Sequence, residues 1–345
     1  MTGGRTRPKR PTIADVAAEA GVSRTTVSHG LSGSGRVDPQ TRERVRAAAA
    51  RIGYRPSPRA QALRSGRSHV IAVASSMHPA IAGGAAHLGF FMEIAAAAAE
   101  RGFEQGYVLA LVPPVTSDRF GALTEMALDG VLVVEPSAGD PVVDRLRAER
   151  IPFVTVGRAP DAAEEDLVVD LNVEETARLM LGHLRDRGCR QVLLLVGDQD
   201  RESFRAARQV WRELAPDAGW DIEAVTAAES GGEAAGEAAV RDALTTRPDI
   251  DGIAAWVDAF AVGAVRAVTG SGRTVPGDVA VLTRYDGLRA QSCEPRLTAV
   301  DLGLGPIARI AVDLLLDRIE DPERLDRTTP RSPAPRLVQR ESTAS

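Results

Sequence analysis

The sequence predicts a small all-α headpiece followed by an α/β body of two parallel-sheet lobes. Three observations predict it. Residues 1–67 combine short amphipathic helical stretches with one sign of charge, fourteen Arg and Lys against four acids, a net +10; the remainder carries −15, so the whole chain is −5. From His69 onward, near-continuous apolar runs alternate with helical patterns, as parallel strands covered on both faces require. Finally, DGVLVVEPS at 129 and DGIAAWVDA at 251 both place Asp-Gly before an apolar strand, as two similar lobes would.

At 345 residues the chain has material for two or three domains. Only 4% of residues are aromatic against 44% hydrophobic, so the core must be built from Ala, Val, Leu and Ile. No apolar run reaches the ~18 residues of a transmembrane helix, and no membrane partner is expected. The basic start MTGGRTRPKRPT lacks the apolar stretch of a secretory signal. Cys189 and Cys293 form no C-x-x-C and have no His nearby in sequence, which argues against a zinc site or a disulfide framework and makes a reducing cytoplasm the expected location. A basic head on an acidic body is the footprint of a nucleic-acid binder, because phosphate neutralisation supplies much of the affinity. A merely solvated charged face is the weaker reading, since so few acids interleave.

Three short helices follow in the head. Thr12 with Asp15 matches a capping box, and Ile13, Val16, Ala17 and Ala20 share one face. Gly21 breaks that helix where the chain turns. Ser23 caps a second helix whose Val27 and Leu31 point inward one turn apart. Asp38-Pro39 is an N-cap followed by proline at the first helical position, and the third helix runs through Val45, Ala49 and Ile52 to Gly53. IADVAAEAGVSRTTVS is thus helix, tight turn, helix: the helix-turn-helix layout, whose second helix enters the major groove near its N-terminus. Arg24, Thr25, Ser28 and His29 lie outward. Gly30 occupies an inward place and predicts early fraying, by about 1 kcal/mol relative to Ala. Next, YRPSPRAQALRSGRS at 54–68 is helix-competent for about two turns without a core to pack on, so it is expected to order only on DNA; a plain linker is the alternative.

T12-I-A-D-V-A-A-E-A-G-V-S with T-V-S, T41-R-E-R-V, G-Y-R-P and A60-Q-x-L63 together resemble the lactose/galactose repressor (LacI-type) family of bacterial regulators. The resemblance implies base readers at Arg24, Thr25 and His29, and phosphate contacts at Thr12, Thr26, Ser28, Ser32 and Thr41, with Ser23 and Arg59 in the same interface. It also implies a minor-groove wedge at Leu63 beside Ala60. His29 stands where the family usually has Arg. It is shorter and only partly charged at neutral pH, which predicts an altered half-site preference.

In the body the strand candidates are HVIAVASS, GYVLALV, GVLVVEP, PFVTVG, DLVVDL, QVLLLVG, GIAAWV and DVAVLT, with helical patterns such as MEIAAAAAERG and VEETARLMLGHLRDRG between them. The resemblance continues through VPGDVAVLTRYD, EPRLTAVDL and the closing LVQREST. It implies a periplasmic-binding-protein-like body in which ligand sits between lobes at the carboxyl ends of strands. The expected organisation is a headpiece at 1–55, a hinge at 56–67 and a body at 68–345. Its first lobe would take about 68–166 and 299–330, its second about 167–298 and 331–343.

Several ligand positions depart from the sugar-binding pattern. Gly157, followed by Arg158, replaces an acid; Ala207 replaces a gripping Arg in the segment that keeps Ser203, Arg205 and Trp211; Val257-Asp258 replaces Asn-Asp. Unpaired hydroxyls are costly to bury, so a less hydroxylated effector than a typical sugar is expected. Ser76, Arg158, Arg205, Asp258, Tyr285 and Asp286 are the cleft candidates. No P-loop, H-E-x-x-H, G-x-S-x-G or complete G-x-G-x-x-G is present, so neither enzymatic activity, a metal nor a cofactor is expected. The expectation is a cytoplasmic homodimeric repressor that binds a near-palindromic double-stranded operator under control of a small-molecule effector. A regulator with a degenerate, effector-independent cleft is the alternative; a solute-binding protein fits the body but not the basic head.

Overall fold

The computed structural model describes residues 11–32, 37–54, 67–82, 89–112, 127–220, 224–322 and 330–344. Its contacts divide the chain into two units, meeting between Ser68 and His69. In the first unit, α1 (Ile13–Ala20), α2 (Arg24–Ser32) and α3 (Pro39–Arg51) close around Val16, Ala17, Val27, Val45, Ala48 and Ala49. Caps set each start. The Asp15 carboxylate accepts from the Thr12 amide (2.7 Å) and hydroxyl (2.8 Å), Ser23 Oγ accepts from the Thr26 amide at 3.0 Å, and Asp38 accepts from the Thr41 amide at 2.9 Å. Gly21 ends α1 at φ +65°, a left-handed conformation that favours glycine. Gly30 does not end α2, which continues to Ser32. It is buried, and a Cβ there would lie 3.3 Å from Val45 Cβ and Cγ1, so it sets the close approach of α2 to α3.

The second unit opens with β1 (Val70–Ala74), α4 (Pro79–Ala82), α5 (Phe90–Glu104), β2 (Val108–Leu111), β3 (Gly130–Val134), α6 (Pro141–Glu149), β4 (Phe153–Val156) and β5 (Val168–Val169). These strands form a parallel sheet in the order β2-β1-β3-β4-β5. The chain then runs through α7 (Val173–Asp186), β6 (Val192–Gly197), α8 (Glu202–Ala218), β7 (Val225–Ala227), α9 (Gly232–Thr246), β8 (Gly252–Ala255), α10 (Asp258–Gly270), β9 (Ala280–Thr283), α11 (Leu288–Ser292) and β10 (Thr298–Asp301). α12 (Leu304–Glu320) returns to the first sheet, where Leu315 and Ile319 pack over Gly130, and β11 (Arg336–Val338) comes back antiparallel to β10. The second sheet therefore reads β11-β10-β9-β8-β6-β7.

All eight anticipated strand segments are strands; the short β7, β10 and β11 complete the sheets. The lobe limits shift slightly. β5 stays with the first sheet, so the first lobe extends past 166, and β10 belongs to the second, so that lobe extends past 298. The Asp-Gly echo has one structural meaning in both lobes. Asp129 accepts from the His69 amide at 2.8 Å, and Asp251 accepts from the Arg190 and Gln191 amides at 2.8–2.9 Å. Each carboxylate caps the start of the neighbouring strand.

Where the chain crosses between lobes the segments are laced together. Asn172 Nδ2 donates to the Pro333 carbonyl at 2.7 Å and Ser332 Oγ to the Asp170 carbonyl at 2.5 Å. Gly303 (φ +66°) lies so close to Pro333 that a Cβ would sit 2.7 Å from Pro333 Cγ.

Candidate functional site

The headpiece presents a polar edge opposite its core. Arg24 and Thr25 are exposed at the start of α2, with half-buried Ser28 and His29 one turn on, while Val27 faces inward. Thr12, Ser23, Thr26 and Thr41 all sit at first turns of helices, where the helix dipole favours phosphate, while the Thr12, Thr26 and Thr41 amides are already spent on Asp15, Ser23 and Asp38. Ser23 and Thr26 also bond each other (Oγ to Oγ1, 2.9 Å), and Thr41 Oγ1 accepts from Arg44 at 3.0 Å. These hydroxyls are therefore held in place before any contact with DNA. Ser32 closes α2. Arg59, Ala60 and Leu63, with the anticipated hinge helix, lie outside the described residues.

The body's polar centre lies between the lobes, at the carboxyl ends of β3, β8 and β9. It is built on Glu135, the residue after β3, which is 6% exposed and held at φ +48°. A non-glycine residue in that region costs about 1–3 kcal/mol and is a mark of functional sites. Its carboxylate receives Arg284 through both terminal nitrogens (3.2 and 2.9 Å) and Ser203 Oγ at 2.9 Å. Its carbonyl receives Arg201. Arg201, 2% exposed at the head of α8, also makes a two-pronged pair with Glu229 (both 3.1 Å) and reaches Ser76 at 3.4 Å. Burial pushes the Glu135 carboxyl up, but the charges of Arg284 and Arg201 and the Ser203 hydrogen bond outweigh it and hold the group below the usual carboxylate range.

Two further contacts join the lobes. Tyr285 donates to Glu93 at 2.7 Å, and Arg289 donates to the Ala80 carbonyl at 3.1 Å while pairing with Asp258 at 3.3 Å. Burial raises the Asp258 carboxyl despite Arg289, and burial together with the bond to Glu93 raises the Tyr285 phenol. The Arg284 guanidinium lies 5.3 Å from the Phe90 ring centre and 5.7 Å from that of Trp256.

Two spaces adjoin this network. An inner cavity of about 40 Å³ lies against Phe90, Trp256, Met77 and Phe204. A mouth of about 910 Å³ is bordered by Glu135, Arg158, Asp170, Asn172, Glu174 and Arg331. Of the six anticipated cleft residues, Asp258 and Tyr285 line the inner cavity, Arg158 the mouth, and Ser76 meets Arg201.

Two are misplaced. Arg205 turns outward, half exposed, onto Asp200 (2.7 and 2.6 Å), because the inward position falls to Arg201 one helical turn earlier. Asp286 pairs with Arg340 at 2.7 Å beside β10 and lines neither space. Glu135, Arg201, Glu229 and Arg284 escaped the sequence reading; the usable signal was an acid directly after a parallel strand, in GVLVVEP. Gly157 is also explained. β3 and β4 pair Val134 with Val156, so Glu135 lies beside Gly157, and a Cβ there would stand 3.2 Å from Glu135 Oε1 and 2.9 Å from Leu171 Cδ1. The acid missing at 157 is supplied one strand over. With Arg201, Arg284 and Glu135 in the cleft, the count of three missing partners does not hold as an argument against a sugar.

Among the described residues, no group of three or more His, Cys, Asp or Glu is placed to hold a metal ion, and no helix is long and apolar enough to cross a membrane.

Residues 12–57 match the family model "Bacterial regulatory proteins, lacI family", and residues 181–343 match a periplasmic binding protein-like domain. The chain is 33% identical to the HTH-type transcriptional regulator CelR of Thermobifida fusca over 91% of this chain and 93% of that one. It is 28% identical to the HTH-type transcriptional repressor PurR of Vibrio cholerae serotype O1, over 90% and 92% respectively. Among solved structures it is similar to a transcriptional regulator CelR–cellobiose complex (30% identity, TM-score 0.71, 96% of this chain and 100% of that one). It also shares the fold of a Lac repressor dimer bound to operator and the anti-inducer ONPF (24% identity, TM-score 0.78, 98% and 100%).

Proposed function

Because the chain belongs to the lacI family of bacterial regulatory proteins, a family of DNA-binding transcriptional regulators, we propose that it works as a homodimeric repressor with an effector-controlled cleft. Two copies dock their α2 helices on the half-sites of a near-palindromic operator in the cytoplasm. A small molecule between the lobes sets the affinity, by no more than its differential affinity for the two lobe arrangements. The observation that carries the reading is α2: a capped, buried-backed helix whose free edge is Arg24, Thr25, Ser28 and His29, in a net +10 segment. Arg24, Thr25 and His29 meet base edges; Thr12, Ser23, Thr26, Ser28, Ser32 and Thr41 meet phosphates; Arg59, Ala60 and Leu63 act at the hinge. The body is a binding unit and not an enzyme.

The test selects bound sequences from random double-stranded DNA with the full chain. The expected product is two inverted half-sites, with a complex mass of two chains per site. No enrichment, or a single unpaired site, overturns the reading. The CelR–cellobiose relative makes cellobiose the first effector to try on the selected site. A second reading, effector-independent regulation, is favoured by one observation: Arg284 and Ser203 already engage the Glu135 carboxylate, and Arg201 its carbonyl, from across the lobes. Operator affinity unmoved by any metabolite pool would support it.

A further inference from the structure

The Arg284 side chain is held as a bound ligand would be held. It leaves the second lobe directly after β9 and ends, buried, between the lobes. That place, at the carboxyl ends of β3 and β8, is where a two-lobed α/β body takes its ligand. Both lobes grip the guanidinium. From the first come the Phe90 ring and the Glu135 carboxylate, which receives Nη1 at 3.2 Å and Nη2 at 2.9 Å; from the second comes the Trp256 ring. Ser203 Oγ donates to the same carboxylate at 2.9 Å and steadies it. Arg201 takes its acid, Glu229, from its own lobe, whereas Arg284 reaches across the cleft for its own.

The guanidinium leaves little space around it. The cavity remaining against Met77, Phe90, Phe204 and Trp256 is about 40 Å³, room for a water or two, whereas small-molecule pockets run to roughly 300–1,000 Å³. The larger mouth is bordered by Glu135 and Ser203 and not by Arg284, so the guanidinium sits inward of it. A buried ion pair adds little net stability over apolar packing of the same volume. What this one adds is a choice between arrangements. Its bonds join groups on different lobes and form only with the lobes as they stand, and a contact made in one arrangement alone shifts the equilibrium toward it.

Resting on the regulator reading above and its cleft, we propose that Arg284 is a tethered ligand: its guanidinium stands in for a small-molecule effector and holds the lobes in the liganded arrangement, and a free guanidinium compound binds in its place once the side chain is removed. The natural chain then needs no metabolite to reach that arrangement. A tethered group acts at an effective concentration of about a millimolar or more, so the free compound is needed in that range.

The test truncates the side chain and supplies the missing piece. Arg284→Ala removes what ethylguanidinium restores; ethylurea has the same shape without the charge. Calorimetry of the full chain reads binding at ~1–50 mM. Arg284→Ala is expected to bind ethylguanidinium, and the parent chain is not. Operator affinity on a selected site is expected to differ between Arg284→Ala and the parent by roughly 5–150-fold. Ethylguanidinium, at matched ionic strength because DNA binding falls with salt, returns it to the parent value; ethylurea does not. Glu135→Gln with Arg284→Met serves where the alanine variant does not fold, and it separates choosing an arrangement from merely stabilising the body: its operator affinity stays displaced although its unfolding midpoint recovers. A folded Arg284→Ala chain that ignores ethylguanidinium overturns the proposal, as do equal rescue by ethylurea and parental operator affinity in either variant. Operator selection reads the headpiece independently: fragment binding by a chain that selects no operator sinks the repressor reading alone, and an operator without the fragment response sinks this inference alone.

Discussion

Removing the charge of Glu135 while keeping its shape tests whether the inter-lobe network holds the body together. In Glu135→Gln the Arg284 guanidinium, 5% exposed, loses its carboxylate, while Arg201 keeps Glu229. Breaking a buried pair from one side typically costs about 3–5 kcal/mol, because the remaining charge stays buried. For a body of this size a kcal/mol moves Tm by roughly 2–4 °C, so the midpoint should fall by roughly 6–20 °C. The double variant Glu135→Gln with Arg284→Met should recover to within about 1 kcal/mol of the parent, since removing both charges leaves none uncompensated. Thermal and urea unfolding of the full chain at pH 7 measure both. The pH dependence adds a second arm. Glu135 titrates below its ordinary value of 4.5 in the folded protein, so the unfolded chain binds more protons there and stability rises with pH. The contribution is complete above 4.5 and is lost as pH falls through the folded value. The parent and Glu135→Gln curves should therefore converge in acid. A loss under about 1 kcal/mol at pH 7, or a double variant worse than either single, refutes the reasoning.

Three other expectations follow from the same geometry. Ser342, fully buried, accepts from the Thr298 amide at 2.8 Å, so Ser342→Ala should cost about 1–3 kcal/mol in urea unfolding by orphaning that amide; a neutral result would mean that the C-terminal turn, Glu341–Thr343, does not clamp the second sheet. Gly30→Val should destabilise the headpiece by ~1–3 kcal/mol, because even a Cβ stands 3.3 Å from Val45; circular dichroism melting of the chain would show an unchanged headpiece transition if α3 simply gives way. Arg24→Ala should relax base preference at one operator position in a binding selection, whereas uniform weakening across all sequences would make it a phosphate contact.

The fold was largely legible because its strands are long apolar runs such as VLLLVG and its helices carry clean caps at Thr12, Ser23 and Asp38. Shorter strands hid. VTA at 225–227 has too little pattern of its own and is a strand because β6 pairs with it, whereas RLV at 336–338 was marked only by the family resemblance of the closing LVQREST. The cleft was harder, for a reason of distance. Glu135 and Arg284 are 149 positions apart, and Arg201 and Glu229 are 28 apart. Nothing local marks them as partners. Arg205 illustrates the converse error: it satisfied a spacing, yet Asp200 five positions away drew it outward. Reading Gly157 as a lost acid likewise missed that the adjacent strand restores one.

The crossing of α12 back to the first sheet has a consequence for the protein as it is being made. The strands of that sheet are complete once Val169 has left the ribosome, but the helix that covers Gly130 ends at Glu320, about 150 residues later. At ~5–20 residues per second the interval is roughly 8–30 s. Throughout it, that apolar side of the nascent sheet is covered by α5 alone, and the part that α12 covers, around Gly130, stays open. The gene order alone thus gives this chain a window in which a chaperone or a second nascent chain can reach that side, and slowing translation between codons 170 and 304 should widen it.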